Sequence, residues 1–443
     1  MKTPIYDFVK KYAENTHVRM HMPGHKGSGN TEKYDITEIS GADSLYEAGG
    51  IIKESEENAS LLFGADTFYS AEGSSLSIRA MIYLITLRAL EQGEKPLILA
   101  TRNAHRVFIS AIALLGIDVQ WISTDSASYL SANLCAKDID EHLSQMSKKP
   151  TAVYITSPDY LGNMVDIKSI AEVCHKHGVL LAVDNAHGAY LKFLKESMHP
   201  IDLGADICCD SAHKTLPCLT GAAYLHISKN APAIFSENAK NATALFGSTS
   251  PSYLILSSLD KANEYLDSDY RRELSDFLKK LDSLKRELTK LGYSLSGNEP
   301  MKLTIKAKPY GYFGYELAGE LEKRGIIPEF ADRDFLTLMP STKTSDKELR
   351  ALSQALASIE KREAITEEAP AVTIPQRRLS VREAILSPSE WVDVYNALGR
   401  VLADTTVGCP PAVPIIVSGE VVDENAVKAF KYYGIEKIKV IKI

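Results

Sequence analysis

From about residue 72 to residue 184 the chain alternates between patterns of helical period and short, wholly apolar runs, and this alternation narrows its possible folds more than any other feature. "SLSIRAMIYLITLRALEQG" reads as an apolar-rich helix, "KPLILA" as a strand, "AHRVFISAIALLG" as a helix and "DVQWIS" as a strand. A helix near 136–147, the strand "TAVYITS", the helix "DIKSIAEVCHKHG" and the strand "VLLAVD" continue the series. Strands that are apolar on both faces must be covered on both, and strands separated by helices pair in parallel. The pattern therefore predicts an α/β protein with a mostly parallel sheet. In such sheets ligands sit beyond the carboxyl ends of the strands, which directs attention to the residues closing each apolar run.

A chain of 443 residues exceeds one small core, and two or three domains are expected. A charged helical stretch runs from about Tyr253 to Leu291, after which "MKLTIKA", "FGYELAGELEKRG", "IIPEF", "FLTLMP" and "SDKELRALSQALASIEKR" read as a smaller α/β unit. The proline-bearing, acidic "EEAPAVTIPQ" reads as its internal linker. The expected division is an N-terminal segment over 1–60, a large domain over 61–290 and a small domain over 291–443.

The formal net charge of −7 disfavours a general nucleic-acid or anionic-membrane binder, and no apolar run is long enough for a membrane span or a leader peptide. Six scattered cysteines without a CxxC pair read as reduced thiols of a cytoplasmic protein. No metal site is expected. His17, His21 and His25 recur every four residues, but Pro23 and Gly24 interrupt the helix that would align them. "GHKGSGN" begins like a phosphate loop, yet Asn30 stands where that loop needs lysine.

Four segments could carry chemistry. Asp184 closes the apolar run "LLAVD", where its carboxylate would lie at the ligand edge of the sheet; a helix cap is the alternative reading. Gly73, Ser74 and Ser75 precede a helix, where unpaired backbone N–H groups and the positive end of the dipole favour an anion. "DSAHKTLP" places Ser211, His213 and Lys214 between two buried strands, and "PDYLG" follows the strand "AVYITS". An anion site, a strand-end carboxylate and a lysine thirty residues beyond it are what pyridoxal 5'-phosphate requires: hydroxyls and helix amides for the phosphate, a carboxylate for the pyridine nitrogen and an amine for the aldehyde.

The ordered segments "HMPGHKG", "ITEISGADSL", "RNAHR", "TSPDYLG", "VDNAHGAY", "GADICCDSAHKTL", "STSPSYLILSSLD" and "GCPPAVPIIVSGE" resemble the Orn/Lys/Arg decarboxylase family from about residue 17 to about 422. The resemblance implies the fold type I of pyridoxal-phosphate enzymes, that of aspartate aminotransferase, in a short form with a smaller C-terminal α/β domain. It implies Lys214 as the Schiff-base lysine, Asp184 as the partner of the pyridine nitrogen, and Ser74, Ser75, Ser211 and His213 around the phosphate. His105 would stack on the ring and His187 would lie near its hydroxyl. Ser248 and Thr249 would reach the site of a neighbouring subunit, in a homodimer or larger assembly with shared sites.

The implied activity is decarboxylation of arginine, lysine or ornithine, in polyamine biosynthesis, with Lys214 and His213 as candidate proton donors to Cα. Glu420 and Asp159 are the candidates for reading a basic head group. The chain departs from the family pattern at Tyr190, where a second histidine is common, at Asp159 and Leu161, and at Ser418. Two other functions stay open at this point: a transamination or lyase reaction on the same cofactor, and a protein that keeps the fold for binding alone.

Overall fold

The computed structural model describes residues 1–15, 17–122, 128–371, 373–404 and 411–442. Ser123 of "DVQWIS", Val372 of the expected linker, Gly408 to Pro410 of "GCPPAVPIIVSGE" and Ile443 lie outside the described residues.

Seven strands form the main sheet: β1 (Asp66–Ser70), β2 (Leu97–Thr101), β3 (Asp118–Ile122), β4 (Ala152–Thr156), β5 (Leu180–Asp184), β6 (Ile207–Asp210) and β7 (Ala223–Ile227), in the order β1-β7-β6-β5-β4-β2-β3. β2 and β3, and β5 and β6, pair in parallel, while β7 runs antiparallel to both β6 and β1. The sheet is thus mostly parallel, as the apolar strands imply. β7 reverses because the chain between it and β6 holds only one short helical turn, too little for a crossover helix.

The helices before the last strands are α1 (Pro4–Glu14), α2 (Ile51–Phe63), α3 (Gly73–Glu91), α4 (Arg106–Leu115), α5 (Ala136–Gln145), α6 (Ile167–Lys176), α7 (Ala212–Thr215), α8 (Ala233–Ala244), α9 (Tyr253–Asp267) and α10 (Tyr270–Lys290). No helix among the described residues is long and apolar enough to cross a membrane.

The chain divides into two compact units. The first comprises Met1–Pro96, Met146–Tyr154 and Ile167–Leu274. Its centre is α3, which carries buried residues around most of its circumference, among them Leu76, Ile78, Met81, Leu84 and Ile85. A helix apolar on all sides has no solvent face to offer, and α3 packs against β7 and α8. α2 ends at Gly64, whose φ of +68° closes the helix in the left-handed conformation that glycine adopts without strain.

The second unit comprises Leu97–Gln145, Ile155–Asp166 and Ser275–Ile443. Here Phe277, Leu281, Leu284 and Leu288 recur every three or four residues of α10 and are buried, the amphipathic spacing that the charged sequence between them suggests. The stretch expected as one helical segment from Tyr253 breaks at Ser268, whose ψ of −99° is not helical. A smaller antiparallel sheet, β8 (Ser294–Ser296), β9 (Leu303–Lys306), β10 (Phe330–Ala331) and β11 (Phe335–Leu338), has the order β10-β11-β9-β8. An antiparallel pair follows, β12 (Ser389–Asp393) with β13 (Lys437–Ile441). The remaining helices are α11 (Gly314–Glu322), α12 (Asp346–Ala357), α13 (Val381–Leu386) and α14 (Glu424–Tyr432). Capping boxes Ser345/Glu348 and Ser380/Glu383 start α12 and α13.

Candidate active site

The ends of β5 and β6 lie side by side, with Asp184 opposite Cys209. Asp184 is buried: Tyr154 Oη donates to Oδ2 at 3.2 Å, the Ala186 N–H donates to Oδ1 at 3.2 Å, and Cys209 Sγ lies 3.6 Å from Oδ1. Burial raises the pKa of Asp184, against the charge of Lys214 and these donors. Burial also pushes the Tyr154 hydroxyl and the Cys209 thiol well above their usual ranges, so both keep the protons they donate. A carboxylate desolvated in this way gains from any cation set against it.

β6 ends at Asp210. Ser211 then leads into α7, one turn of helix that carries His213 and Lys214. The half-buried Lys214 places Nζ 3.0 Å from His187 Nε2. His213 is held twice by one carbonyl: its backbone N–H and its Nδ1–H donate to Ala222 O at 3.2 and 3.1 Å. Ser211 Oγ stands 3.4 Å from the same ring nitrogen.

Ala222 also joins this turn to the start of α3, because the neighbouring Gly221 carbonyl accepts from the Gly73 N–H at 2.7 Å. Gly221 has φ +98°, and a Cβ there would come within 3.0 Å of both Ala71 O and Ile255 Cδ1, so only glycine lets the two segments approach so closely. The side chain of the N-cap residue Glu72 makes no hydrogen bond to the first turn of α3, and Ser74 and Ser75 stand there half-buried. Asp184, His187, Ser211, His213 and Lys214 thus gather on adjoining strand ends, and Ser74 and Ser75 are tied to them through Gly221 and Ala222. The donor set suits pyridoxal phosphate: a helix start with two hydroxyls for the anion, an amine, and a desolvated carboxylate for a ring nitrogen.

Thr249 is exposed in the segment between α8 and α9, and the N–H of the adjacent Ser248 donates to the Glu72 carboxylate of the same chain. His105 belongs to the second unit, where it caps α4: its Nδ1 accepts from the Val107 N–H at 3.2 Å, which puts the ring proton on Nε2.

The two carboxylates expected to read a basic head group both have partners within the chain. Both oxygens of the buried Glu420 accept from the Arg102 guanidinium at 3.0 Å, and Oε2 also accepts from the Val417 N–H at 2.7 Å. Asp159, also buried, closes its own turn: Oδ1 accepts from the N–H groups of Leu161 and Asn163, and Oδ2 from Asn163 Nδ2, all at 2.9 Å. Tyr190, at the departure from the family pattern, has no solvent exposure. Sequence reasoning missed Tyr154, Arg102 and Asp210. Tyr154 and Arg102 follow no spacing that singles them out, and Asp210 stood in view beside Ser211 with nothing to show that its partners lie at 199 and 226.

A profile of the Orn/Lys/Arg decarboxylase major domain matches residues 3–308. The chain is 30% identical over 97% of its length to "Uncharacterized protein YaaO" of Bacillus subtilis, covering 93% of that protein. It is 28% identical to the arginine decarboxylase of the same organism, again over 97% of this chain and 93% of the relative. Among solved structures, the constitutive lysine decarboxylase of E. coli superposes with a TM-score of 0.79 at 17% identity, covering all of this chain and 82% of the other. The fold is that of the pyridoxal-phosphate enzymes of type I.

Proposed function

Since this chain is a member of the Orn/Lys/Arg decarboxylase family, a pyridoxal-phosphate enzyme that decarboxylates amino acids, we propose that its substrate is a basic amino acid, arginine before lysine or ornithine. The order rests on the names of the relatives that span the whole chain, among them the arginine decarboxylases of Bacillus subtilis and Halalkalibacterium halodurans. The observation that carries the site assignment is the buried Asp184, backed by Tyr154, on the strand next to the one that leads into Lys214.

Pyridoxal phosphate, when bound, supplies the electron sink for the pair left at Cα as carbon dioxide departs. The residues of the chain do the rest. The α3 start with Ser74 and Ser75 holds the phosphate, with Ser211 and His213 beside it. Asp184 holds a cationic ring nitrogen; an opposite charge at hydrogen-bond distance favours the charged form by about 1–3 pKa units, or about 1.4–4 kcal/mol. His187 Nε2, 3.0 Å from Nζ, would take a proton from Lys214 and so keep its amine neutral and nucleophilic. Lys214, given back that proton by His187, would pass it to Cα, in preference to His213, whose Nδ1 is tied to Ala222 O. Thr249, exposed, is left for a second subunit of a homodimer, and the amine product would serve polyamine synthesis in the cytoplasm.

Incubation with a panel of amino acids, followed by mass spectrometry, tests the reading. Agmatine from arginine is the expected product; a keto acid would replace the reading with transamination, and retained cofactor without turnover would replace it with binding alone. In Lys214→Ala, borohydride should no longer fix the cofactor to the protein, and persistent labelling would remove Lys214 from its role.

A further inference from the structure

Asp210 closes β6 directly before Ser211, and its carboxylate is fully buried. Oδ1 accepts from Asn185 Nδ2 at 2.6 Å, and Oδ2 accepts from His199 Nε2 at 3.0 Å and His226 Nε2 at 3.1 Å. Both imidazoles are without solvent exposure, and the Phe63 ring lies against them, 4.3 Å from His226 and 5.5 Å from His199 between centroids. His226 spends its Nε2–H on Asp210, so its Nδ1 accepts from Thr67 Oγ1 at 2.9 Å, and a neutral ring satisfies both nitrogens. Burial lowers the pKa of His226 accordingly. Burial alone would raise that of Asp210, but the two imidazoles outweigh it and hold the carboxylate well below its ordinary range.

His199, Cys208 and Asp210 also bring donor atoms within 4.8 Å of one another, as a metal site would. The carboxylate already accepts three N–H groups, however, and burial drives the Cys208 thiol well above its usual pKa, so hydrogen bonding accounts for the cluster.

A buried anion with this many donors is rigid, because each lost partner leaves an unpaid desolvation. What it joins therefore matters. Asn185 follows Asp184, and its backbone N–H donates to Cys209 O at 3.0 Å. Its side chain lies against Gly188, where a Cβ would stand 2.0 Å from Asn185 Oδ1. That side chain thus spans from the end of β5 to the end of β6.

We propose, resting on the pyridoxal-phosphate reading above, that Asp210 is a positioning residue: through Asn185 it locks the Asp184 strand end to the strand end that presents Lys214. The two residues that take opposite parts of the cofactor are then set at one spacing by a charge that touches neither substrate nor cofactor.

Asp210→Asn and Asn185→Ala, singly and together in the cofactor-loaded protein, test it. The readouts are the rate of cofactor loss to an excess scavenger, the visible circular dichroism of the bound chromophore, and the thermal midpoint. Losing a hydrogen bond to a charged group should speed cofactor loss about tenfold or more in each single variant and weaken the visible dichroism. The double variant should be no worse than the worse single one, because both cut the same link. Thr67→Val loosens His226 alone; it should lower the thermal midpoint and leave both cofactor readouts unchanged.

Additive effects on cofactor loss, or unchanged cofactor readouts in Asn185→Ala, would overturn the proposal. If Asp210→Asn fails to fold, Asn185→Ala decides by itself, since it leaves the contacts of Asp210 with the imidazoles in place. A wild-type protein that never attaches cofactor at Lys214 would instead fail the catalytic reading, a result separate from wild-type attachment with indifferent variants.

Discussion

Replacing Glu420 by glutamine keeps the shape of the side chain and removes its charge, which separates a carboxylate that serves the fold from one that serves the substrate. In the structure Glu420 is 2% exposed and Arg102 8%, and two N–H···O bonds of 3.0 Å join them in a fork. The guanidinium also stands 4.9 Å over the Trp121 ring, so little water is at hand to take over its charge. Glutamine offers one acceptor and turns an NH₂ group toward the guanidinium where the second oxygen was. Removing one partner of a buried pair costs about 3–5 kcal/mol, because the other charge stays desolvated. For a cooperative unit of about 150–250 residues each kcal/mol moves the melting midpoint by about 2–4 °C, so Glu420→Gln should melt roughly 10 °C lower.

The double variant Arg102→Leu/Glu420→Leu removes both charges and should recover most of that loss. Calorimetric melting at one fixed cofactor concentration measures it, since bound ligand itself raises the midpoint. An unchanged midpoint together with a KM for arginine raised tenfold or more would refute the reasoning. Glu420 would then face the substrate, and the fork with Arg102 would not be what holds it.

Two further perturbations follow from the first unit. Asp260 accepts from Ser55 Oγ at 2.5 Å and from the Tyr6 N–H at 3.0 Å, yet burial raises its pKa from 3.8 to about 6. Its ionisation therefore opposes folding: the contribution to stability is full below about pH 3.8 and is lost as pH rises through about 6. Asp260→Asn should flatten that part of a denaturant-derived stability curve by up to about 3 kcal/mol, and equal slopes in the two proteins would contradict it. Gly221→Ala forces a Cβ against Ala71 O at a φ of +98°, straining the link between the α3 start and the lysine turn. A strain of about 1–3 kcal/mol should weaken cofactor affinity about tenfold in a fluorescence titration, and a wild-type dissociation constant would contradict it.

The reach of sequence reasoning differs between elements for physical reasons. α3, α4, α6 and strands β2, β4 and β5 were legible because burial on both faces of a parallel sheet demands uninterrupted apolar runs. Lys214, Asp184, Ser74 and Ser75 stand out as candidates because the chemistry of a charged cofactor restricts residue types at strand ends and helix starts. The small sheet was less visible, since "IIPEF" contributes only Phe330 to a strand and the chain before it runs as loop. Glu420 and Asp159 were legible as carboxylates, but the partners they take within the chain were not: a carboxylate shows its charge in the sequence but not its partner. The pairing of Glu420 with Arg102 spans 318 positions, which no local pattern reports.

By itself, then, the sequence determined the class of fold and the cofactor, and it singled out the residues proposed to hold it. Those properties follow from periodicity and from residue chemistry, and both are local. Tertiary structure alone decided which charges are spent inside the protein. Asp210 meets His199 and His226, and Asp184 meets Tyr154, only once the strands have taken their order. Desolvation, which sets the cost of each of those charges, depends on what surrounds a group from every side, and the linear chain does not carry that information.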